Sequence, residues 1–406
     1  MSIKFRLIIM NFLQYAIWGA WLISLGAYLG GDLAFSGRQI GSFFATMGIA
    51  SLFMPAIMGI IADRWIPAQK LLGICHLTAA VLMAAAAPQT AYLPLYSLIL
   101  CSVMFYMPTI SLSNSVAYNA LSKAGLDTVK AFPPIRVWGT VGFIVAMIAV
   151  DLLGFTKSSM QLYFSAGLSV ILGAYAFSLP SCPVAKKVKN QSWVDAFGLR
   201  AFALFKQKKM AIFFLFSMLL GVSLQITNAF GNDYLTNHFG NDPTYAGTFG
   251  VEHANILISL SQISETLCIL LIPFFLKRFG IKNVMLISMC AWVLRFVLLG
   301  AGNPGSGVWM LVLSMLVYGV AFDFFNISGS LYVDKETDPS IRSSAQGVFM
   351  IMTNGFGAFF GSYAAGEVVH RMGWPVSWYI FGGYAVVVTI LFALIFKYKH
   401  NPEASI

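Results

Sequence analysis

The chain has 406 residues, of which 58% are hydrophobic and only 10% are charged, and its mean hydropathy is +0.78. This composition excludes a soluble globular protein, because too few polar side chains are available to cover a surface in contact with water. The net charge of +10 could point to nucleic acid. The basic residues form neither a solvated domain nor a patch interleaved with aromatic residues, so we expect no nucleic-acid partner.

Apolar runs long enough to span a lipid bilayer follow one another along the chain. A helix needs about 20 apolar residues to cross the hydrocarbon core, and lipid forces backbone groups to bond within the helix. The first six predicted spans cover residues 6–30, 40–62, 71–88, 93–121, 131–154 and 161–179. The next six cover residues 210–231, 252–276, 283–302, 308–333, 342–366 and 376–397. The sequence therefore predicts an all-α membrane protein with twelve transmembrane helices.

The longest and most basic connection lies between the sixth and seventh runs. We predict an N-terminal six-helix bundle at residues 1–180, a cytoplasmic linker at 181–209 and a C-terminal six-helix bundle at 210–406. Ile135-Arg136 in the first half matches Ile341-Arg342 in the second. Other short matches between the halves are separated by nearly the same number of residues. Weak internal similarity of this kind is typical of transporters built from repeats.

Positive charge is distributed unevenly between alternate loops. One set of loops carries most of the lysine and arginine residues, whereas the opposite set carries only Arg38, Lys157 and Arg371. Because cytoplasmic loops are enriched in Lys and Arg, this asymmetry predicts that both termini are cytoplasmic.

Few ionisable residues lie inside the predicted spans. Burying a charge at the centre of a bilayer costs about 2.5–3.5 kcal/mol on insertion scales, so such residues usually face a cavity or a partner. Glu265 and Asp323 lie midway along their runs, and Arg295 lies late in the ninth. Arg136 follows Pro133-Pro134, and because Pro suits a helix N-terminus, this spacing leaves the depth of Arg136 in the membrane open.

Polar and aromatic residues near these charges are spaced three, four or seven positions apart, which places them on shared helix faces. Amides on such faces could simply hydrogen-bond between helices, but several faces together favour a polar cavity. The four faces consist of Arg136, Thr140 and Phe143; Gln225 and Asn228; Gln262 and Glu265; and Tyr318 and Phe322 with the adjacent Asp323.

A cavity lined by amides, a carboxylate and aromatic rings suits a ligand with a flat ring and hydroxyl groups. A nucleoside fits this description, since its base can stack on Phe143, Tyr318 or Phe322 while its polar groups pair with amides and a carboxylate. A sugar or other polyol fits almost as well, so this chemistry leaves both substrates open.

Signatures of an enzyme are missing from the sequence. It contains no phosphate-binding loop, no H-E-x-x-H helix and no Cys/His cluster at metal-ligand spacing. We therefore predict no enzymatic activity, no cofactor and no metal. Without a site for ATP, a transporter must use an ion gradient or act as a facilitator. Because Asp323 and Glu265 are the deeply placed carboxylates, a proton is the natural coupling ion.

Four segments of the chain closely resemble the bacterial nucleoside:proton symporters, a branch of the major facilitator superfamily. These segments are residues 132–143, 224–228, 261–266 and 318–330, and the likeness extends to the closing residues 396–400. The resemblance implies the twelve-helix fold of that superfamily in two six-helix halves. It also implies a location in the bacterial inner membrane and proton-driven uptake of nucleosides by alternating access. We expect the chain to function as a monomer.

The resemblance also assigns roles to particular residues. In that family, the residue matching Asp323 is needed for transport. The residue matching Arg136 lies in the substrate cavity. The segment Gly59-x-x-x-Asp63-Arg64 is a looser match to the superfamily signature, because Pro67 interrupts the usual continuation. The residues that match the nucleoside site are Arg136, Thr140, Phe143, Gln225, Asn228, Gln262, Glu265, Tyr318 and Phe322.

Two alternatives remain open at this stage. One is a sugar or polyol:proton symporter of the same fold. The other is a membrane sensor or assembly component that keeps the fold but no longer transports. A sensor should carry a soluble signalling domain or lack the polar cavity residues, and the sequence shows neither change.

The charge asymmetry predicts a definite topology. A cysteine introduced at Asn190 should react with an impermeant thiol reagent only from the cytoplasmic side, and one at Asn237 only from the outside. Labelling of whole cells and of inverted membrane vesicles measures both. The opposite pattern of labelling would contradict the predicted orientation.

Overall fold

The computed structural model describes residues 2–182, 184, 199–338 and 341–398, and within these ranges the chain is helical without any β-strand. The predicted position 190 and most of the predicted linker lie outside the described residues. The first seven helices are α1 (Ile3–Gly19), α2 (Leu25–Gly31), α3 (Gly37–Arg64), α4 (Ala68–Ala86), α5 (Tyr92–Lys123), α6 (Thr128–Leu152) and α7 (Met160–Ala176). After a 3₁₀-helix at Leu199–Lys206 come α8 (Lys208–Asp233), α9 (Phe249–Glu252), α10 (Ala254–Ala301), α11 (Val308–Glu336), α12 (Arg342–Met350), α13 (Ala358–Met372) and α14 (Val376–Ile395).

Nine helices in the described part of the chain are long and apolar enough to cross a membrane. The longest, α10, changes direction at Gly280, where φ is 74° and ψ is 167°. A positive φ favours glycine because it has no Cβ, so this residue separates two helical segments that match two predicted spans. The all-α membrane architecture is confirmed, while the count of twelve spans stays a prediction.

Several departures from α-helical geometry, which the apolar pattern does not predict, interrupt the spans; one is a π-helical segment at Tyr234–His238. The first predicted span is divided, because α1 ends at Gly19 and α2 begins only at Leu25. Residues Ile351–Gly357 form a π-helical segment between α12 and α13. Such segments are frequent at functional sites because they re-aim the side chains around them.

The contacts between residues divide the chain into two compact units. The first unit contains residues 1–35 and 46–197, and the second contains residues 36–45 and 198–406. The first turns of α3 therefore group with the second unit, where Gly41 lies against the backbone of Ser362 and Gly366 on α13. The predicted division into two bundles and a linker stays a prediction.

Close helix packing in the first unit depends on glycine. The backbone of Phe12 on α1 lies against Gly142 on α6, and that of Phe143 lies against Gly19. The missing side chains let the two helix backbones approach closely, as small residues do in membrane proteins. This contact fixes the position of α6 relative to α1.

A similar contact orients α10 and α11 in the second unit. Gly319 lies against the backbone of Ser264 and against the sulfur of Cys268. The hydroxyl of Ser264 also donates a hydrogen bond to the carbonyl of Leu316. These contacts bring the polar residues of α10 next to the aromatic residues of α11.

Gly142→Ala should destabilise the protein, because its new methyl group overlaps the carbonyl oxygen of Phe12. Overpacking of this kind typically costs about 1–3 kcal/mol. We expect a lower Tm for the purified protein in detergent. Gly167→Ala is the matched control, since open space surrounds Gly167 on α7. Equal Tm values for the two variants would show that the α1–α6 contact is not tight.

Candidate functional site

Arg136 lies on α6 well inside the helix rather than in its first turn. The helix begins at Thr128, so Pro133 and Pro134 lie within it, and Arg136 lies beyond its first turn. The guanidinium of Arg136 stacks on the ring of Tyr15, with its carbon 3.9 Å from the ring centroid. Glycine at position 139 leaves room for both groups. A cation over an aromatic face is stabilised where water is scarce.

Thr140 and Phe143 follow Arg136 along α6. Thr140 is half-buried, and Phe143 is buried with its ring edge-on to Trp18 at a centroid distance of 6.4 Å. Trp18 in turn contacts Tyr106 at 5.9 Å. Phe143 therefore belongs to an aromatic cluster that also holds α1 and α6 together.

A buried polar network lies close to this cluster, and sequence patterns do not reveal it. The Gln14 amide donates to the hydroxyl of Thr109 at 2.7 Å, and its oxygen lies 2.8 Å from Nε2 of His76. The hydroxyl of Tyr106 donates to the backbone carbonyl of Gln14 at 2.7 Å. Nδ1 of His76 is 3.2 Å from the hydroxyl of Ser169. His76 is fully buried, so its polar atoms need these partners.

In the second unit, Tyr318 and Phe322 lie one turn apart on α11 and stack on each other. Their ring centroids are 5.8 Å apart with an interplanar angle of 10°. Trp292 on α10 contacts Tyr318 edge-on at 6.1 Å. The stacked pair provides a flat aromatic surface of the kind on which a planar ligand can stack.

Arg295 holds the Tyr318 ring from the other side. Its guanidinium carbon lies 4.8 Å from the ring centroid, and Nη1 donates to the carbonyl of Ser314 at 2.6 Å. The Arg295 side chain is 4% exposed, and it forms no ion pair with any described residue. The sequence singles out Arg295 as a charge within a span, but its contact with Tyr318 depends on the packing of α10 against α11.

Three further predicted site residues cluster around Tyr318. The Gln262 side chain lies within hydrogen-bonding reach of the Tyr318 hydroxyl, and Glu265 and Asp323 interact with Tyr318 electrostatically. The carboxyl groups of Asp323 and Glu265 also interact with each other. Asp323 is 4% exposed, and its Oδ2 has no hydrogen-bond partner among the described residues.

Gln225 and Asn228 lie one turn apart on α8. Asn228 is half-buried, whereas Gln225 is 7% exposed. The Gln225 Oε1 atom is buried and has no hydrogen-bond partner among the described residues. Leaving such an acceptor unpaired costs about 1–3 kcal/mol, so a ligand that donates to it gains that amount back.

Within the described ranges, no group of three or more His, Cys, Asp or Glu side chains is arranged to hold a metal ion. The chemistry available consists of hydrogen bonding, stacking on aromatic rings and proton binding by carboxylates.

Comparison with known proteins gives consistent results over the whole chain. The family profile described as "Nucleoside H+ symporter" matches residues 1–401. The nucleoside permease NupG of Escherichia coli (strain K12) is 53% identical, over 98% of this chain and 97% of that protein. The xanthosine permease of the same organism is 52% identical, over 99% and 98%. The crystal structure of the NupG D323A mutant superimposes with a TM-score of 0.94 at 52% identity, covering 98% of this chain and all of that one.

Because the Oε1 acceptor of Gln225 has no partner, replacing Gln225 should affect the stability of the ligand-free protein and its binding of ligand in different directions. Gln225→Leu removes a buried unpaired oxygen, so we expect an unchanged or higher Tm without ligand. We also expect the rise in Tm on adding uridine to disappear or shrink strongly. Thermal unfolding of purified protein, with and without uridine, measures both effects.

Gln161→Leu is the matched control. Gln161 is equally buried, but it accepts from Ser24 and donates to backbone carbonyls of Thr156 and Ser158. This variant should lower the Tm. A Gln225→Leu protein that is destabilised as much as Gln161→Leu, and still stabilised by uridine, would make Gln225 a packing residue.

Proposed function

Because the chain belongs to the nucleoside H+ symporter family, it is a multi-pass membrane transporter and not an enzyme, and we propose that it imports nucleosides together with protons across the bacterial inner membrane. The observation that carries this proposal is a buried carboxylate beside a stacked aromatic pair on one helix. Asp323 supplies the carboxylate, and Tyr318 and Phe322 supply the rings.

The nucleoside is recognised by stacking on aromatic rings and by hydrogen bonding. The base stacks on the Tyr318–Phe322 pair, which Arg295 holds in place through its contact with Tyr318. The free Oε1 of Gln225 accepts from an exocyclic amine or from a sugar hydroxyl. Gln262, Asn228 and Glu265 provide further hydrogen bonds. In the first unit, Arg136, Thr140 and Phe143 are the corresponding proposed contacts.

Asp323 is the proposed proton-binding group. Loss of water favours the neutral form of a carboxyl group, whereas a nearby cation favours the charged form. A carboxyl group whose contact with water or with a cation changes during transport can take up a proton on one side and release it on the other. The interaction with Glu265 links this proton to substrate binding, because Glu265 is also a proposed contact of the nucleoside.

Transport then proceeds by alternating access. Proton and nucleoside bind from the outside, the two six-helix halves rock about the central site, and both are released into the cytoplasm. Both termini lie in the cytoplasm in this proposal, and one chain forms a complete transport unit.

A sugar or polyol:proton symporter is the competing proposal, since aromatic rings and carboxylates also suit sugars. The nucleoside proposal is favoured because NupG and the xanthosine permease of Escherichia coli, each more than half identical to this chain, carry names of nucleoside permeases. The sensor alternative would require a transporter fold that no longer moves its ligand.

Asp323→Asn should abolish accumulation of uridine in response to a pH gradient, because the variant cannot carry the coupling proton. Uridine binding should remain measurable, since recognition is spread over several other side chains. Uptake of labelled uridine by proteoliposomes with an imposed pH gradient measures coupling, and a thermal shift measures binding.

Asp334→Asn is the matched control on the same helix. Asp334 is exposed and pairs with Arg342 at 2.9 Å, and such surface pairs contribute about 0–1 kcal/mol. This variant should accumulate uridine normally. Gradient-driven accumulation by well-folded Asp323→Asn protein would exclude Asp323 as the coupling site.

A further inference from the structure

The last third of α5 carries a polar face that opens onto a cavity of about 700 Å³. All of the lining residues belong to α5 in the first unit, and none is among the predicted site residues. They are Ser111, Asn114, Ser115, Tyr118, Asn119, Ser122 and Lys123.

Several of these side chains have unused hydrogen-bonding capacity. Ser111 donates to the Pro108 carbonyl of its own helix at 2.9 Å, which is common for serine in membrane helices. Ser115 and Asn119 instead make no side-chain hydrogen bond to any described residue. The Oδ1 atom of Asn114 is buried and also lacks a partner within the described ranges. Free amides and hydroxyls facing an open cavity are available to a polar ligand.

An aromatic surface lies beside these polar groups. Tyr118 is 46% exposed, and its ring centroid lies 4.6 Å from that of Phe132 on α6. Phe132 precedes Arg136 by one helical turn, so the two residues lie on the same face of α6. The aromatic surface therefore continues the row of proposed contacts Arg136, Thr140 and Phe143 toward the start of α6.

We propose that this face of α5 is a second nucleoside-binding subsite, which the substrate occupies on its way between the central site and the cytoplasm. The base stacks against Tyr118, the amides of Asn114 and Asn119 pair with its polar edge, and the Ser115 hydroxyl faces the sugar. The combination of an exposed ring, free amides and hydroxyls matches the chemistry of the central site. The subsite rests on the proposed function, because its ligand is the transported nucleoside.

The alternative is a water-filled route with no affinity for the substrate. A polar face on a membrane helix must contact water or protein, so its polarity alone fits a route as well. What favours a binding site is the exposed Tyr118 ring beside the Asn119 amide, which makes no hydrogen bond to any described residue. A route for water requires neither feature.

Protection of a cysteine at the subsite tests the proposal. Ser115→Cys is introduced into the full chain with and without Gln225→Leu, and alkylation by N-ethylmaleimide is followed at residue 115 by mass spectrometry. Uridine should slow alkylation in both proteins equally, at concentrations above those that raise the Tm of the intact protein, because the subsite is weaker than the central site and binds independently of Gln225. The natural Cys101 on α5 is exposed and does not line the cavity, so its alkylation should not change.

A second substitution tests the role of the aromatic ring. Adding Tyr118→Leu should raise the uridine concentration for half-protection about tenfold, in line with the contribution of one stacked base. Tyr163→Leu, which removes a similarly exposed tyrosine from α7, should leave that concentration unchanged.

The outcomes distinguish failure of the subsite proposal from failure of the proposed function. If uridine stabilises the intact protein but its protection of residue 115 disappears with Gln225→Leu, or is insensitive to Tyr118→Leu, the subsite is wrong and the central site stands. If uridine neither stabilises nor protects any form of the protein, both proposals are overturned.

Discussion

The structure depends on one constraint: a polar side chain buried in a lipid-embedded helix bundle must find a partner, because no water is available to supply one. Most buried polar groups in the described residues meet this requirement within the protein. Asn232 donates to Asn255 at 2.6 Å, and Gln14 pairs with Thr109 and His76. The Oε1 atom of Gln225 and the Oδ2 atom of Asp323 are among those that do not. In our account the substrate and the proton supply those missing partners.

Glycine contacts position side chains of the proposed site within each unit. Because Gly319 lies against Ser264, α10 and α11 are close enough for Arg295 to reach the ring of Tyr318. In the first unit, Gly142 does the same for α1 and α6, so that the Arg136 guanidinium can stack on Tyr15. Packing and recognition are therefore linked: a methyl group added at either glycine would displace a side chain proposed to contact the nucleoside.

Much of the fold can be predicted from the apolar runs, since their lengths match the observed helices to within a few residues at most ends. Spacing also predicts correctly that Tyr318 and Phe322 share a face of α11. The break after Gly19 and the π-helical segment Ile351–Gly357 cannot be predicted in this way, because an apolar run indicates the length of a span and not the hydrogen-bonding pattern inside it. For the same reason the sequence identifies Arg295 as a buried charge without identifying its partner, and it gives no sign that His76 is fully buried.

The central claim, that nucleoside and proton move together, is tested most directly by proton movement driven by the substrate alone. Proteoliposomes containing the protein and an internal pH-sensitive dye are prepared with no pH gradient, and uridine is added outside. Our account predicts acidification of the lumen by uridine and other nucleosides but not by sugars. Uridine entry without any acidification would contradict proton coupling, and acidification driven equally by sugars would contradict the assigned substrate.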